Sequence, residues 1–191
     1  TSRGLERIEL DDYDDIVVVA KGFALRRLLQ LHKTHRHAGL AGAEDAEHLV
    51  SRAAFRLALD DALDETVAMQ LVRRIRAIDP SKPVRLVPQP RRRRGDLPLE
   101  PCTVGMGVRQ EDAPRLCAQF DEVAAEVCAR AGAVYCPQPP DTVEHWIWTA
   151  PAYGVAAANV SGGPTASGDL EHMGAHYGSA VLAQLFGARA A

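Results

Sequence analysis

Short apolar runs alternate along this chain with longer segments in which apolar residues recur at helical spacing. The run at 15–20 is rich in β-branched residues, lies between acidic residues and a Lys-Gly pair, and is typical of a strand buried on both faces. A second short strand is predicted at 82–88, which prolines close, and a third at 133–136, which ends before Pro137. The pattern therefore predicts three short strands spread along the chain.

The segments between these strands are predicted to be helices. The clearest has Leu116, Phe120 and Val127 on one face and Gly132 in the C-cap position. The polar, histidine-rich stretch from His32 to His37 is interpreted as a solvated link between the first two helices. The predicted helices are 23–31, 44–59, 64–78, 113–131 and 173–186.

Strands that alternate with helices in this way predict an α/β domain with a parallel sheet and right-handed crossovers. In such sheets the working residues gather beyond the carboxyl ends of the strands. Three segments follow the predicted strands and are expected to meet at that edge: 22–24, 89–91 and 137–139.

Length and composition are consistent with one domain over residues 1–191, because 47% of the residues are hydrophobic, enough to bury a core. A net charge of −3 and only 5% aromatic residues make a nucleic-acid partner unexpected. No apolar run is long enough to span a membrane, and no signal-peptide pattern begins the chain, so a soluble protein is expected. The spacing of the four cysteines fits neither a metal site nor a disulfide framework; Cys117 and Cys128 are predicted to be buried thiols, which favours the reducing cytoplasm.

An Asp-x-x-His pattern, Asp169 to His172, stands at the start of the last predicted helix. A carboxylate beside an imidazole fixes its tautomer and stabilises the imidazolium, so the pair could act as a general base toward a hydroxyl nucleophile. Asp169 could equally be a helix N-cap, which needs no chemistry.

Three stretches resemble the later part of an SGNH (GDSL-like) hydrolase domain. Residues 13–22 look like the family's strand that ends in a Gly-x-Asn-Asp block, 84–90 like the next strand, and 169–178 like the terminal Asp-x-x-His and its helix. The resemblance implies a three-layer α/β/α domain of flavodoxin-like type. It also implies a serine-type esterase or acyl (acetyl) transferase that acts on an O-acyl ester, such as one of a saccharide, without a cofactor.

On this resemblance His172 would take the proton of a serine hydroxyl and return it to the leaving alcohol, while Asp169 would hold His172. The oxyanion and the substrate would be bound at the edge of the sheet, through backbone N–H groups and neighbouring side chains. The residues expected there are Gly22, Phe23, Gln89, Arg91 and Arg92.

The chain departs from the family pattern in two places. Phe23, Ala24 and Leu25 stand where the family's oxyanion-stabilising Asn would fall, and no Gly-Asp-Ser block supplies a nucleophile. Either the domain is incomplete at its N-terminal side, lacking the first strands and the serine, or it is a catalytically degenerate member. Ser161 and Ser167, in a Gly- and Pro-rich segment, are the local alternatives for the nucleophile.

Two charged features allow other readings. The run Arg91 to Arg94 is either a solvated loop or a site for an anionic ligand or partner, because guanidinium groups bind phosphate and carboxylate in bidentate fashion. His172 and His176, four residues apart, could chelate a metal with Asp169 or Glu171, although the Glu of a His-Glu-x-x-His motif is missing and no metal is expected. A sheet of few strands would leave exposed edges, so a homo-oligomer is also expected.

Overall fold

The computed structural model describes residues 9–94, 102–154 and 170–187. The helices in these ranges are α1 (Leu25–Thr34), α2 (Arg52–Asp64), α3 (Val67–Ile78), α4 (Ala113–Arg130) and α5 (Ala175–Phe186). The strands are β1 (Ile16–Ala20), β2 (His35–His37), β3 (His48–Val50), β4 (Val84–Pro88), β5 (Thr103–Gly105), β6 (Val108–Arg109), β7 (Val134–Tyr135), β8 (Val143–Glu144) and β9 (Trp148–Thr149).

The central sheet has three parallel strands in the order β1-β4-β7. Ile16 pairs with Val84, and Arg85 pairs with Val134, so each strand is aligned with its neighbour near its N-terminal end. These are the three strands that the apolar runs predict, and the predicted parallel α/β arrangement is confirmed.

The two faces of this sheet are covered unequally. Val18, Ala20 and Leu86 belong to one large apolar cluster that also contains the buried side chains of α1, α2, α3 and α4. Arg85 points to the opposite face, because side chains alternate along a strand. There its Nη1 donates to the carbonyl of Leu185 at 2.6 Å, and its guanidinium lies 5.4 Å from the centre of the Phe186 ring. Helix α5 therefore packs on the face that the other four helices leave uncovered.

The predicted helix 44–59 is wrong in its first half. His48–Val50 forms β3, which pairs in parallel with β2, and α2 begins only at Arg52. Ser51 is the N-cap: its backbone is extended, and its Oγ accepts the N–H of Ala54 at 3.0 Å. A capping serine satisfies one of the orphan donors of the first turn, which fixes the start of a helix more strongly than apolar spacing does.

Two small antiparallel pairs, β5–β6 and β8–β9, were not predicted from the sequence. Each strand has only two or three residues, too few for an alternating pattern to appear. Trp148 of β9 joins them: its side chain is buried in the main cluster, and its Nε1 donates to the carbonyl of Val104 at 2.7 Å. Gly105, at φ +101°, lies against the same indole, where a Cβ would come within 2.8 Å of the ring.

One side of β1 pairs with no strand of the described residues. Val19, near the end of β1, is 72% exposed, and a groove of about 980 Å³ runs between this strand and α3. Unpaired strand edges can take up a further strand. The expectation of self-association rests on this edge and stays a prediction.

The cysteines bear out their prediction. All four are free thiols, and Cys117 and Cys128 are buried. Burial raises the pKa of Cys117 to about 11 and that of Cys128 to about 12, so neither is a thiolate nucleophile near neutral pH. In the same described ranges, none of the helices has the length and apolar character needed to cross a bilayer.

The histidine-rich stretch is not the solvated link that its polarity predicts. Helix α1 continues to Thr34, which places His32 one turn after Leu28 on the buried face, and the side chain is 1% exposed. His37, in β2, is 7% exposed. Burial, reinforced by the charge of Arg36, lowers the pKa of His32 from 6.5 to about 4, so its ring is held neutral in the fold.

This burial predicts a loss of stability in acid. Between about pH 6.5 and pH 4 the unfolded chain binds a proton at His32 and the native state does not. The free energy of unfolding therefore falls by about 1.4 kcal/mol from this group for each unit by which the pH decreases. We expect His32→Leu to flatten the decline, measured by urea unfolding across this range. The exposed His48, changed to Gln, is the control and should keep the wild-type slope. Parallel declines in wild type and His32→Leu would contradict the assignment.

Candidate active site at the carboxyl edge of the sheet

The segments that follow β1 and β4 are joined by the backbone and side chain of Gln89. Its Oε1 accepts the N–H of Gly22 at 3.0 Å, and its own N–H donates to the carbonyl of Phe23 at 2.9 Å. Gly22 has φ +85°, in the left-handed region that favours glycine, which lets the chain turn from β1 toward α1 at this point. Two of the three predicted segments therefore meet at the carboxyl edge.

The third segment joins them through the side chain of Gln138, which follows β7. Gln138 Oε1 accepts the N–H of Arg91 at 2.9 Å, and Nε2 donates to the hydroxyls of Thr142 and Thr149 at 3.0 and 2.9 Å. The Thr149 hydroxyl in turn donates to the carbonyl of Arg91 at 2.5 Å, and that of Thr142 to the carbonyl of Pro139 at 2.7 Å. All three side chains are buried. This network, which we call the Gln138 network, holds Arg91 in place through hydrogen bonds to both its backbone N–H and its carbonyl.

The chain that leads into α5 docks on the same edge. The N–H of Arg93 donates to the carbonyl of Leu170 at 2.9 Å, and the N–H of Gly174 donates to that of Tyr153 at 2.8 Å. Residues 170–174 thus lie beside the segment that follows β4, and they bring His172 to the edge where the family resemblance expects it. Asp169 lies outside the described residues, as do Ser161 and Ser167.

Glu171, next to His172, lies between two arginines. Its Oε1 is 3.9 Å from Nη1 of Arg26 on α1 and 3.5 Å from Nε of Arg92. All three side chains are substantially exposed, so each ion pair contributes little to stability. The sequence indicated Glu171 only as a metal ligand, because nothing local shows that Arg26 comes close to it.

The arginine run is not a freely solvated loop. The guanidinium of Arg91 donates to the carbonyl of Trp146, and Arg92 pairs with Glu171. The side chain of Arg93 covers Gly154 so closely that a Cβ there would clash with it. His145 and Trp146 both have positive φ, at 45° and 66°, a backbone strain that turns the Trp146 carbonyl into reach of Arg91. Most of this positive charge is therefore placed by contacts within the protein.

One predicted oxyanion donor is already engaged, and the side chain of another predicted residue is buried. The N–H of Gly22 is used by Gln89, and the ring of Phe23 is fully buried, 6.5 Å from Phe120 and 6.3 Å from Tyr135 between ring centres. The nearest alternative is the start of α1, where no side chain caps the first turn and Ala24 is the N-cap. The orphan N–H groups of such a helix end carry partial positive charge.

The cleft at this edge is small. Its walls come from the start of α1, from the segment that follows β4, from β9 and from Glu171. They enclose about 30 Å³, room for about one water molecule. The residues that line it include Leu25, Arg26, Gln89, Arg92, Trp148 and Glu171. The exposed members of the lining are Arg26, Arg92, Met106 and Glu171, so the cleft could widen by movement of these four side chains.

The possible metal ligands near His172 are Glu171 and His176, while Asp169 lies outside the described residues. Within 9–94, 102–154 and 170–187, no three His, Cys, Asp or Glu side chains are grouped as metal ligands would be. His172 and His176 are both exposed.

No protein-family model, curated protein or solved structure matches this chain. Its function is therefore inferred from the residues at this edge and from their geometry.

The Gln138 network predicts the effect of one near-isosteric change. Thr149→Val removes the hydroxyl that bonds Gln138 and the Arg91 carbonyl, so one N–H of the buried Gln138 amide and a half-buried carbonyl lose their partner. We expect a loss of about 1–3 kcal/mol in the free energy of unfolding. Thr149→Ser keeps the hydroxyl and loses only a methyl group, so it should be less destabilised. Chemical denaturation compares the two, and a serine variant less stable than the valine variant would contradict the network.

Proposed function

We propose that the carboxyl edge of the sheet is the active site of an SGNH-type ester hydrolase or acyl transferase that acts on O-acyl esters, including acetyl esters of saccharides. The observation that carries the proposal is the hydrogen bond from Arg93 to Leu170, which docks residues 170–174 and His172 on this edge. The carboxyl ends of parallel strands are where open α/β sheets place reactive groups. The parallel sheet with helices on both faces is compatible with the three-layer fold of that family.

In the proposed reaction a serine hydroxyl attacks the ester carbonyl. His172 takes the hydroxyl proton and passes it to the oxygen of the leaving alcohol, so that an acyl-serine forms as the ester bond breaks. Asp169 would hold His172 and stabilise its charged form. Water or a second alcohol then releases the acyl group by the same steps in reverse, which gives hydrolysis or transfer. The nucleophile is a serine outside the described residues.

The start of α1 is the best source of oxyanion donors at this edge. Leu25 and Arg26 line the cleft with Glu171, next to His172, and they are the first two residues of α1. The free backbone N–H groups at the start of a helix already point outward along the helix axis, so they can bind a negatively charged oxygen without rearrangement of the protein. They replace the Gly22 N–H, which donates to Gln89.

A second candidate function has its own observation. Glu171 lies between the guanidinium groups of Arg26 and Arg92, so this edge already accommodates one carboxylate. A catalytically degenerate module could bind an anionic ligand or partner there, with the run Arg91 to Arg94 supplying further charge. In that case Glu171 occupies the position of the ligand in the unbound protein.

The test is labelling by a fluorophosphonate, with an intact-mass readout, together with hydrolysis of p-nitrophenyl acetate by the native full-length protein. We expect one serine to be labelled, and His172→Ala to lower the rate by at least about 100-fold, because positioned general bases contribute that much. His48→Ala, an exposed histidine on β3, is the matched control and should keep the wild-type rate.

Two results would contradict the ester-hydrolase proposal. One is unchanged turnover in a folded His172→Ala protein. The other is the absence of both labelling and hydrolysis in the full-length protein, which would favour the anion-binding module.

A further inference from the structure

An open strand edge and an exposed apolar stripe lie side by side, away from the cleft beside His172. The groove between β1 and α3 has a volume of about 980 Å³, and none of its lining residues lines that cleft. Binding in this groove is therefore independent of the proposed ester-hydrolase function.

The open edge of β1 presents the backbone groups of two valines. The N–H of Ile16 donates to the carbonyl of Pro83, just before β4, at 3.1 Å. Backbone groups alternate in direction along a strand, so those of Ile16 and Val18 are directed at β4, and those of Val17 and Val19 are directed away from it. On that side β1 pairs with no strand of the described residues. The edge can therefore accept hydrogen bonds from a further strand and donate to it.

Helix α3, beside this edge, is apolar on two faces. One face belongs to the main apolar cluster. The other carries Val67, Leu71 and Ile78, which are 74%, 47% and 66% exposed and recur at helical spacing. Leu71 and Ile78 line the groove, with Arg74 between them. Exposed apolar side chains grouped beside an open strand edge indicate a protein contact.

The two ends of β1 carry opposite charges. Asp11, Asp14 and Asp15 precede the strand, and Lys21 follows it. Two copies of β1 that run antiparallel place the acidic end of each strand beside Lys21 of the other. Opposite charges across a strand pair are stabilising, and like charges are destabilising. The charge pattern therefore favours a second copy of this chain as the partner of the edge.

We propose that two copies of the chain form a dimer in which their β1 strands pair antiparallel about a two-fold axis through Val18. The two three-stranded sheets then become one continuous sheet. Only residues whose backbone groups are directed outward can exchange hydrogen bonds, so Val17 of each copy bonds Val19 of the other. An axis through Val18 also sets Asp15 opposite Lys21 of the second copy, and an axis through Val17 or Val19 does not.

The same axis covers the apolar stripe of α3. A connection of only five residues, 79–83, joins α3 to β4, so the helix runs opposite to β4 and to the parallel β1. An axis perpendicular to the sheet keeps both α3 helices on one face of it, antiparallel to each other. Leu71 and Ile78 of each copy are then covered by α3 of the other, which removes apolar surface from water.

Sedimentation velocity on the full chain, over a range of concentrations, measures the association. We expect a reversible equilibrium between monomer and dimer with no larger species, because a two-fold contact uses the same edge of both copies and is closed. Amide hydrogen exchange then locates the contact. The N–H groups of Val17 and Val19 should slow with rising concentration by more than that of Val18, which already bonds β4.

A substitution in the helix stripe tests the apolar part of the contact. Leu71→Lys introduces a charge where the two α3 helices meet, close to Arg74, so the dissociation constant of the dimer should rise at least about tenfold. Leu57→Lys makes the same change on α2, where Leu57 is 62% exposed and outside the groove, and should dimerise as wild type does.

A charge reversal tests the strand register. Lys21→Glu places like charges together at both ends of the strand pair, so the dissociation constant should again rise at least about tenfold, and more at low salt. Lys33→Glu, at an exposed position on α1 outside the groove, makes the same change in net charge and is the control.

Three outcomes would overturn the proposal. One is a chain that stays monomeric at every concentration. Another is a dimer in which the exchange of Val17 and Val19 is unchanged, which would place the contact elsewhere. The third is equal weakening by each substitution and its control, which would show a general response to charge.

Discussion

The side chain of Gln138 is the interaction on which the carboxyl edge depends. Its amide bonds the backbone of Arg91 after β4 and the hydroxyls of Thr142 and Thr149 around the β8–β9 pair, and the side chains of Gln138, Thr142 and Thr149 are buried. A buried amide is tolerated only when its donors and acceptor are paired, so this geometry has few alternatives. Next to the fixed Arg91, the carbonyl of Arg92 accepts the N–H of Thr149, and the N–H of Arg93 donates to the carbonyl of Leu170. The position of His172 therefore depends on the side-chain amide of Gln138, more than thirty residues earlier in the chain.

The same edge shows how a run of four arginines is accommodated in a protein of net negative charge. The Arg91 guanidinium donates to the backbone carbonyl of Trp146, Arg92 forms an ion pair with Glu171, and the side chain of Arg93 covers Gly154. These contacts leave a cleft with room for about one water molecule. Its exposed charged members, Arg26, Arg92 and Glu171, form surface ion pairs, which contribute little to stability. A rigid floor under a weakly held cover suits the proposed ester-binding site.

Much of the sheet could be predicted because its strands are short, apolar and closed by proline or glycine, as at 15–20 and 82–88. The meeting of the segments after β1, β4 and β7 also follows from the rule for parallel sheets. The small pairs β5–β6 and β8–β9 could not be predicted, since strands of two or three residues carry no alternating pattern. His32 was misjudged because its polar neighbours concealed a position on the buried face of α1. Thr149 and Arg26 reach the site through contacts distant in sequence, for which no local signal exists. The roles of His172, Gly22, Gln89, Arg91 and Arg92 stay predictions.

Native-state hydrogen exchange tests most directly whether the Gln138 network and the docked segment form one unit with the sheet. The relevant amides are those of Arg91, bonded to Gln138, of Arg93, bonded to Leu170, and of Thr149, bonded to Arg92. If the account is right, all three exchange with the same free energy as the amides in the middle of β4, because they open only when the domain unfolds. Exchange of Arg93 and Thr149 at rates near those of an unstructured chain, with β4 still protected, would contradict it.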